Sequence, residues 1–379
     1  MSPVKIALWV LCMAALSGCI PTKDKPATIG APMDWSELPG WEEDAHAEVW
    51  PALVNNCKAV SDTTEWASIC SQITGLDAPN DTQAREFIEH WFQPHTLYAR
   101  GGKEQGLITG YYEPLLFGSL EPDERYRYPL YQQPESLLTI HLGDVYPDLK
   151  DRRLRGQLRG DRIVPFYSRE EIESNRALLA GNELIWLDNR DDVFFLHIQG
   201  SGRIQLPDGT LLGAGYSNQN GHPYVPIGRI LLQDGELARE EISLFTIRQW
   251  LDDNPGKAES LLNRNPSYVF FVLRNNPETG PIGSLNVPLT PERSIAIDPK
   301  LVKLGTPMWL MTNYPGNPGK QYNRLVVAQD TGGAIKGTLR ADLFWGYGED
   351  AERAAGNMKE PVRLIVLQPR KAGSDRAKN

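Results

Sequence analysis

The sequence predicts a mainly β protein with some helix, arranged as two domains and built from barrels rather than a βαβ sheet. Three observations lead there. Short apolar strand patterns separated by Gly- and Pro-rich turns recur from residue 106 to residue 369. Helical periodicity is confined to a few stretches, chiefly near the start. Once an N-terminal signal is set aside, about 360 residues remain, enough for two domains.

The N-terminus comes first. Lys5 precedes the apolar run "IALWVLCMAAL" (6–16), which has signal-peptide length and is too short to span a bilayer as a mature helix. "LSGC" follows, ending at Cys19. A cysteine after small residues resembles the bacterial lipoprotein signal, with 1–18 removed and Cys19 lipidated. The alternative is a plain secretory signal with an incidental cysteine. Two or more acyl chains would anchor the chain stably. Ile20, rather than an aspartate, after that cysteine resembles an outer-membrane destination, with the protein on the periplasmic side. Residues 20–34, "IPTKDKPATIGAPMD", are polar and aperiodic; 19–33 read as a tether.

Net charge is −9, which argues against nucleic acid as a partner, because phosphate binding needs a basic surface. Cys12 leaves with the signal and Cys19 takes the lipid, so Cys57 and Cys70 are the pair left for a disulfide; two free thiols are the alternative. The histidines at 46, 90, 95, 141, 197 and 222 have no zinc-type spacing, so no metal is expected, and no cofactor.

Residues 43–60 and 82–93 place apolar side chains three and four apart and read as helices, the second with Asp81 as N-cap. After residue 106 the pattern changes. "GLITGYYEPLLFGSL" reads as strand and turn. Residues 192–216 read as strands with a hairpin at Pro207-Asp208-Gly209. Residues 236–253 read as one helix, with a short one near "KAESLLNR". Strand patterns return at 268–274, 293–299, 306–312, 324–330 and 361–369, and the tail 369–379 reads as frayed.

Chemistry gathers around "VVAQDTGGAIKG" (326–337). Its Asp-Thr-Gly is an aspartic-protease signature. A pepsin-type site needs two such loops sharing one proton, and this chain has one. Asp330 on a Gly332-Gly333 turn can simply bond the turn's amides. Asp298 in "SIAIDP" and Asp342 in "LRADLFWGYG" occupy similar strand-end settings, so three carboxylates could converge. Clustered carboxylates cannot all ionise cheaply, and one is pushed to a raised pKa. A carboxyl kept protonated near neutrality is what a glycosidic oxygen needs as general acid.

"RSIAIDP" with "LVVAQDTGGAIKGTLRADLFWGYG" resembles the three-aspartate domain of the membrane-bound lytic murein transglycosylase A family. "TGYYEP" (109–114), "VPFYSREEIE" (164–173), "HIQGSGRIQLPDG" (197–209), "GYSNQNGHPYVPIGR" (215–229) and "NPSYVFF" (265–271) are similar to it in the same order. The resemblance implies a double-psi β-barrel catalytic domain, 34–113 plus 276–368, with a smaller β-barrel domain inserted at 114–275 and a groove between them. It implies cleavage of the β-1,4 bond between N-acetylmuramic acid and N-acetylglucosamine without water, the C6 hydroxyl attacking its own C1. One carboxyl then suffices where a hydrolase needs two. By the resemblance that acid/base is Asp342, with Asp330 and Asp298 as supporting neighbours; the residues alone do not rank Asp342 above Asp330. Peptidoglycan strands and a membrane are the expected partners, with room for cell-wall synthesis or division proteins, for a monomer.

Candidate sugar contacts are Thr109; Tyr111 and Tyr112, of which strand alternation buries one; Gln199, Gly200, Ser201 and Gly202 of "QGSG"; Asn220 and His222 of "NQNGHP"; and Thr331, Gly332 and Lys336 beside Asp330. Each has a plainer reading: a β-bulge for "QGSG", a turn at Asn220-Gly221, a structural His222, a solvated Lys336. A water-using murein hydrolase, with Asp330 activating water, and a non-catalytic glycan-binding lipoprotein are the alternatives. "MKEPVRLIVLQP" departs from the family pattern in having Glu360-Pro361 where a Gly is usual before the last strand, which concerns a turn and not the site.

Overall fold

A computed structural model describes residues 26–370 except Asp151, Arg153 and Asn276. The signal segment, Cys12, Cys19 and the tail beyond residue 370 lie outside the described residues.

Six strands close into a barrel: Gly106–Glu113, Ser294–Ile297, Pro307–Tyr314, Asn317–Asp330, Arg340–Tyr347 and Lys359–Pro369. Closure comes from the last strand pairing with Gly106–Glu113, Lys359 facing Thr109. A closed ring leaves no strand edge to satisfy. Alternation sorts the side chains. Ile108, Ile295, Met308, Leu310, Val326, Leu343 and Leu364 fill the interior. Trp309, Leu325, Val327 and Ile365 point outward into a second core.

That second core is built with the N-terminal helices, Trp50–Val60, Ala67–Gly75 and Asp81–Trp91. A disulfide joins Cys57 to Cys70 across the first two. The third helix is capped by Asn80 and not by Asp81: Asn80 accepts from the Gln83 amide and Gln83 answers, a reciprocal box that Asp81, one residue inside, cannot make. Arg293, 1% exposed, grips Asp44 through two bonds of 2.8 and 2.9 Å and ties the helices to the barrel. Part of the expected tether is also structured, because Thr28–Pro32 pairs as an edge strand with Phe92–Tyr98.

The chain leaves the barrel at Glu113 and enters a second six-stranded sheet at Leu115. Its outer strands, Tyr128–Tyr131 and Val269–Arg274, approach each other without pairing. After Arg274 the chain returns to the barrel. Buried Glu113 marks the crossing: Arg203 and Arg274 both reach it, at 3.4 and 3.2 Å, and Arg203 lies over the ring of Tyr347 from the barrel.

Two expectations about this region change. Residues 190–199 form a helix, not a strand. Asn189 caps the Asp191 and Asp192 amides, and Gly200 ends the helix at φ +81, a conformation that suits glycine. Val193 to His197 are all buried, so no polar face betrays the helical period. The helix expected over 236–253 starts only at Leu244, where Ser243 caps it, behind a single turn at Arg239–Glu241.

Candidate active site

Four adjacent barrel strands set the site. Ala296 faces Asp330 on one side and Asp342 on the other, and Asp342 in turn faces Thr109. Directly opposed residues point to the same face of a sheet. The row Asp330, Ala296, Asp342, Thr109 therefore lies on one surface, outside the barrel core. A register shift between Ile295 and Ala296 brings Asp330 into line. Two strand spacings separate the two aspartates, roughly 10 Å of backbone. Tyr111 and Phe344, two residues on from Thr109 and Asp342, share that face, their ring centres 5.3 Å apart.

The two aspartates are solvated differently. Asp330 Oδ1 accepts from the Ser284 amide and hydroxyl, both at 2.9 Å, and Oδ2 accepts from the Tyr111 hydroxyl at 2.9 Å. Burial raises its pKa, and those donors oppose the rise. Asp342 keeps some exposure and has one partner among the described residues, the Thr109 hydroxyl at 2.5 Å. Burial of the carboxyl raises its pKa to about 6; Thr109 and Arg340 pull it down, and Asp330 adds a smaller push upward. The expected mechanism of like-charge crowding is thus secondary to desolvation.

Thr109 spends its one proton on Asp342 and accepts from Arg340 at 2.8 Å. Arg340 also holds the carbonyl of Ala341. The chain Arg340–Thr109–Asp342 fixes one carboxyl oxygen and leaves the other unpartnered among the described residues. A neutral carboxyl held that way can donate a proton, and the anion left behind meets a hydroxyl and a guanidinium.

Asp298 does not join this row. Its carboxylate accepts from the Gly337 and Lys300 amides, at 2.8 and 3.4 Å, and so moors the loop between Asp330 and Asp342. Asp342 itself lies near the start of its strand rather than at its end.

The other expected contacts divide. Tyr112 is buried and bonds Glu352 at 2.8 Å; with Tyr111 on Asp330, neither ring is a free platform. Gln199 accepts from the Tyr112 amide at 3.2 Å. Gly200 is the helix cap, Ser201 is buried in a strand, and a side chain on Gly202 would meet Leu196 at 2.7 Å. Asn220, 1% exposed, donates to the carbonyls of Tyr167 and Pro266 and accepts from the Tyr268 amide. His222 Nε2 donates to the Phe166 carbonyl at 2.7 Å. Thr331 meets the Ser284 hydroxyl at 2.7 Å, Gly332 sits against Ile335, and Lys336 is exposed on the loop.

Arg340 and Ser284 were not anticipated. Arg340 stands two residues before Asp342, so alternation alone puts it on the same face. Ser284 lies in the irregular stretch "PIGSLNVP", which carries no local signal.

Comparison with known proteins adds to this geometry. The family model described as the MltA specific insert domain matches residues 107–272, and the 3D domain model matches residues 293–368. The chain is 33% identical over 360 residues to the membrane-bound lytic murein transglycosylase A of Escherichia coli K12, covering 91% of this chain and 85% of that one. It is 32% identical over 276 residues to the protein of the same name from Vibrio cholerae, covering 70% and 67%. The crystal structure of a membrane-bound lytic murein transglycosylase from Agrobacterium tumefaciens superposes with a TM-score of 0.80 at 31% identity, over 90% of this chain and 98% of that one.

Proposed function

We infer the activity from two facts: the chain belongs to the membrane-bound lytic murein transglycosylase A family, and its barrel holds one carboxyl, Asp342, with a pKa of about 6 and a free oxygen. The protein is a lytic transglycosylase acting on peptidoglycan. Asp342 protonates the oxygen between N-acetylmuramic acid and N-acetylglucosamine. The muramic C6 hydroxyl attacks C1 of the same sugar, and Asp342, now a carboxylate, takes that hydroxyl's proton. Atoms balance without water, and the new end is a 1,6-anhydro ring. Holding the nucleophile on the substrate lowers the entropic barrier. Thr109 and Arg340 are positioning residues that steady the carboxylate between the two transfers.

The observation that carries this reading is the contrast between the two aspartates. A hydrolase would need a second carboxylate free to orient water. Asp330 has both oxygens occupied by Ser284 and Tyr111, which favours the waterless route. In the same reading 34–113 with 276–368 forms the catalytic unit and 114–275 the insert, with the glycan strand between them. Relatives are named membrane-bound, and among the described residues no helix is long and apolar enough to cross a membrane. Lipidation at Cys19, on the periplasmic side of the outer membrane, would supply the attachment.

The test is digestion of purified peptidoglycan by the full chain in detergent, with products weighed by mass spectrometry. Anhydro ends are expected. Ends heavier by two hydrogens and one oxygen would replace this reading with hydrolysis.

A further inference from the structure

A second charged site lies in the insert, away from the aspartates. Arg169 is 2% exposed, and its guanidinium sits between the rings of Phe194 and Tyr268, 4.7 and 5.0 Å from their centres. Nε donates to the Asn265 carbonyl at 3.2 Å. Nη2 donates to the Ser267 carbonyl and to His197 Nδ1, both at 2.8 Å. Burial, with Arg169 alongside, holds the His197 pKa well below its ordinary value, so that ring is neutral. Among the described residues no carboxylate lies within ion-pair distance of Arg169, and its Nη1 has no hydrogen-bond partner. A buried cation that lacks a counter-ion is costly unless something supplies one.

Beside Arg169 is a cavity of about 140 Å³, which Arg176, Arg190, Glu173 and Glu259 also line. That is room for several waters or a small acid. Arg176 is already 3.8 Å from Glu173, and Arg190 is 2.9 Å from Asp191. With Asp191 on Arg190, the three arginines meet three carboxylates, Glu173, Glu259 and Asp191, and Arg169 is the one with none within ion-pair distance. One unpaired guanidinium suits a single negative charge and gives a dianion no second one.

We propose that this cavity binds the carboxylate of a small monoanionic acid, one oxygen on Arg169 Nη1 and the outer edge closed by Arg176 and Arg190. With Nε and Nη2 committed, Nη1 is the end of the planar guanidinium left for a carboxylate, a partner that guanidinium groups favour. The site does not depend on the role of Asp342. Two sources carry this chemistry: a free small acid, and the carboxylate end of a peptide borne on murein.

Calorimetry on the full chain in detergent, at constant ionic strength, tests it with N-acetyl-D-alanine, its methyl ester and inorganic phosphate. One-to-one saturable binding of the acid is expected, at least tenfold weaker for the ester and for phosphate. Arg190→Gln, about a third exposed and outside the buried cluster, should weaken binding threefold or more with an unchanged melting temperature. Arg169→Gln should abolish it, and if that variant does not fold, Arg190→Gln still decides. No saturable binding, or equal binding of acid and ester, or tighter phosphate, overturns the proposal. Competition then assigns the source: displacement only by murein fragments that keep their peptides points to the peptide, and displacement by neither kind of fragment points to a free acid. Both results support the carboxylate site. Loss of activity in Asp342→Asn leaves it untouched.

Discussion

On the outer face of the barrel, Asp342 is held by one hydroxyl and keeps an oxygen free; in the insert, the amide of Asn220 is spent on the backbone of Tyr167, Pro266 and Tyr268. Both residues stand in conspicuous motifs. The difference lies in what surrounds them. The barrel's strands are locked by closure, so a polar side chain on their outer face need not support the fold. The insert's "QGSG" and "NQNGHP" stretches close turns and cap a helix, so their polar groups are consumed in holding the backbone. A motif supplies chemistry only where the fold can spare its atoms.

The largest effect that would test this contrast is Asp342→Asn. Turnover of peptidoglycan should fall by about a thousandfold, within the range for losing a general acid. Stability should move the other way. The folded pKa is about 6 against an ordinary 3.8, so the ionised carboxylate disfavours the folded state above that window. The cost is absent below about pH 4 and complete above about pH 6. Removing it should stabilise the variant at pH 7 by up to about 3 kcal/mol, with no gain at pH 4. Thermal melts at the two pH values read this directly. An inactive variant that is also less stable at pH 7 would mean that Asp342 supports the fold as Asn220 does.

Asn220→Ala comes next. It strips the Tyr167 carbonyl and the Tyr268 and His222 amides of their side-chain partner in a buried place, while the Pro266 carbonyl keeps the Arg169 amide, and unfolding in urea should show a loss of about 3 kcal/mol. Activity per folded molecule should stay within about twofold of the parent, as expected where no substrate contact is lost. Full stability with lost activity would move the insert's motif into the substrate site and erase the contrast.

Thr109→Val keeps the shape and removes the hydroxyl. The bond from Thr109 lowers the Asp342 pKa, so losing it raises that pKa further. The protonated acid is the active form, and wild-type activity should decline as pH rises through about 6. In Thr109→Val that limb should shift to higher pH, while turnover drops by about tenfold, one hydrogen bond's worth of positioning. A drop with an unmoved pH profile would leave Thr109 as packing alone.

Much of this was legible in the sequence, for identifiable reasons. Strand 293–299 announced itself because alternation survives, with Ile295 and Ile297 in the barrel core, and 324–330 did so as a short continuous apolar run, Val326 and Ala328 facing the barrel and Leu325 and Val327 the helices. The helix at 190–199 did not, because five successive residues, Val193 to His197, are buried and leave no polar stripe to count. The aspartates were legible as candidates. Their ranking was not, since it depends on Ser284, which has no local signal, and on a register shift at Ala296. Sequence alone makes Asp298 a third member of a cluster, and what it holds is the Gly337 amide. Contacts between residues far apart in the chain decide such questions.

Lys336 gives the smallest and most discriminating effect. It lies on the loop between the two aspartates, three residues beyond Gly333, and it is exposed. The loop's position is set by other groups: Asp298 on Gly337, Thr331 on Ser284, and Ile335 buried against the Asp342 face. None of these needs the lysine side chain. Lys336→Ala should therefore change turnover by less than about twofold on glycan strands stripped of peptides, as surface substitutions do. Intact murein carries carboxylates on its peptides, and there an ammonium at the edge of the site can add a screened attraction of about half a kcal/mol. Comparing KM on the two substrates in low and high salt isolates that contribution. A salt-sensitive rise in KM confined to the peptide-bearing substrate would give the barrel loop a recognition role. Equal values on both would leave the loop's buried anchors as all that the site requires of it.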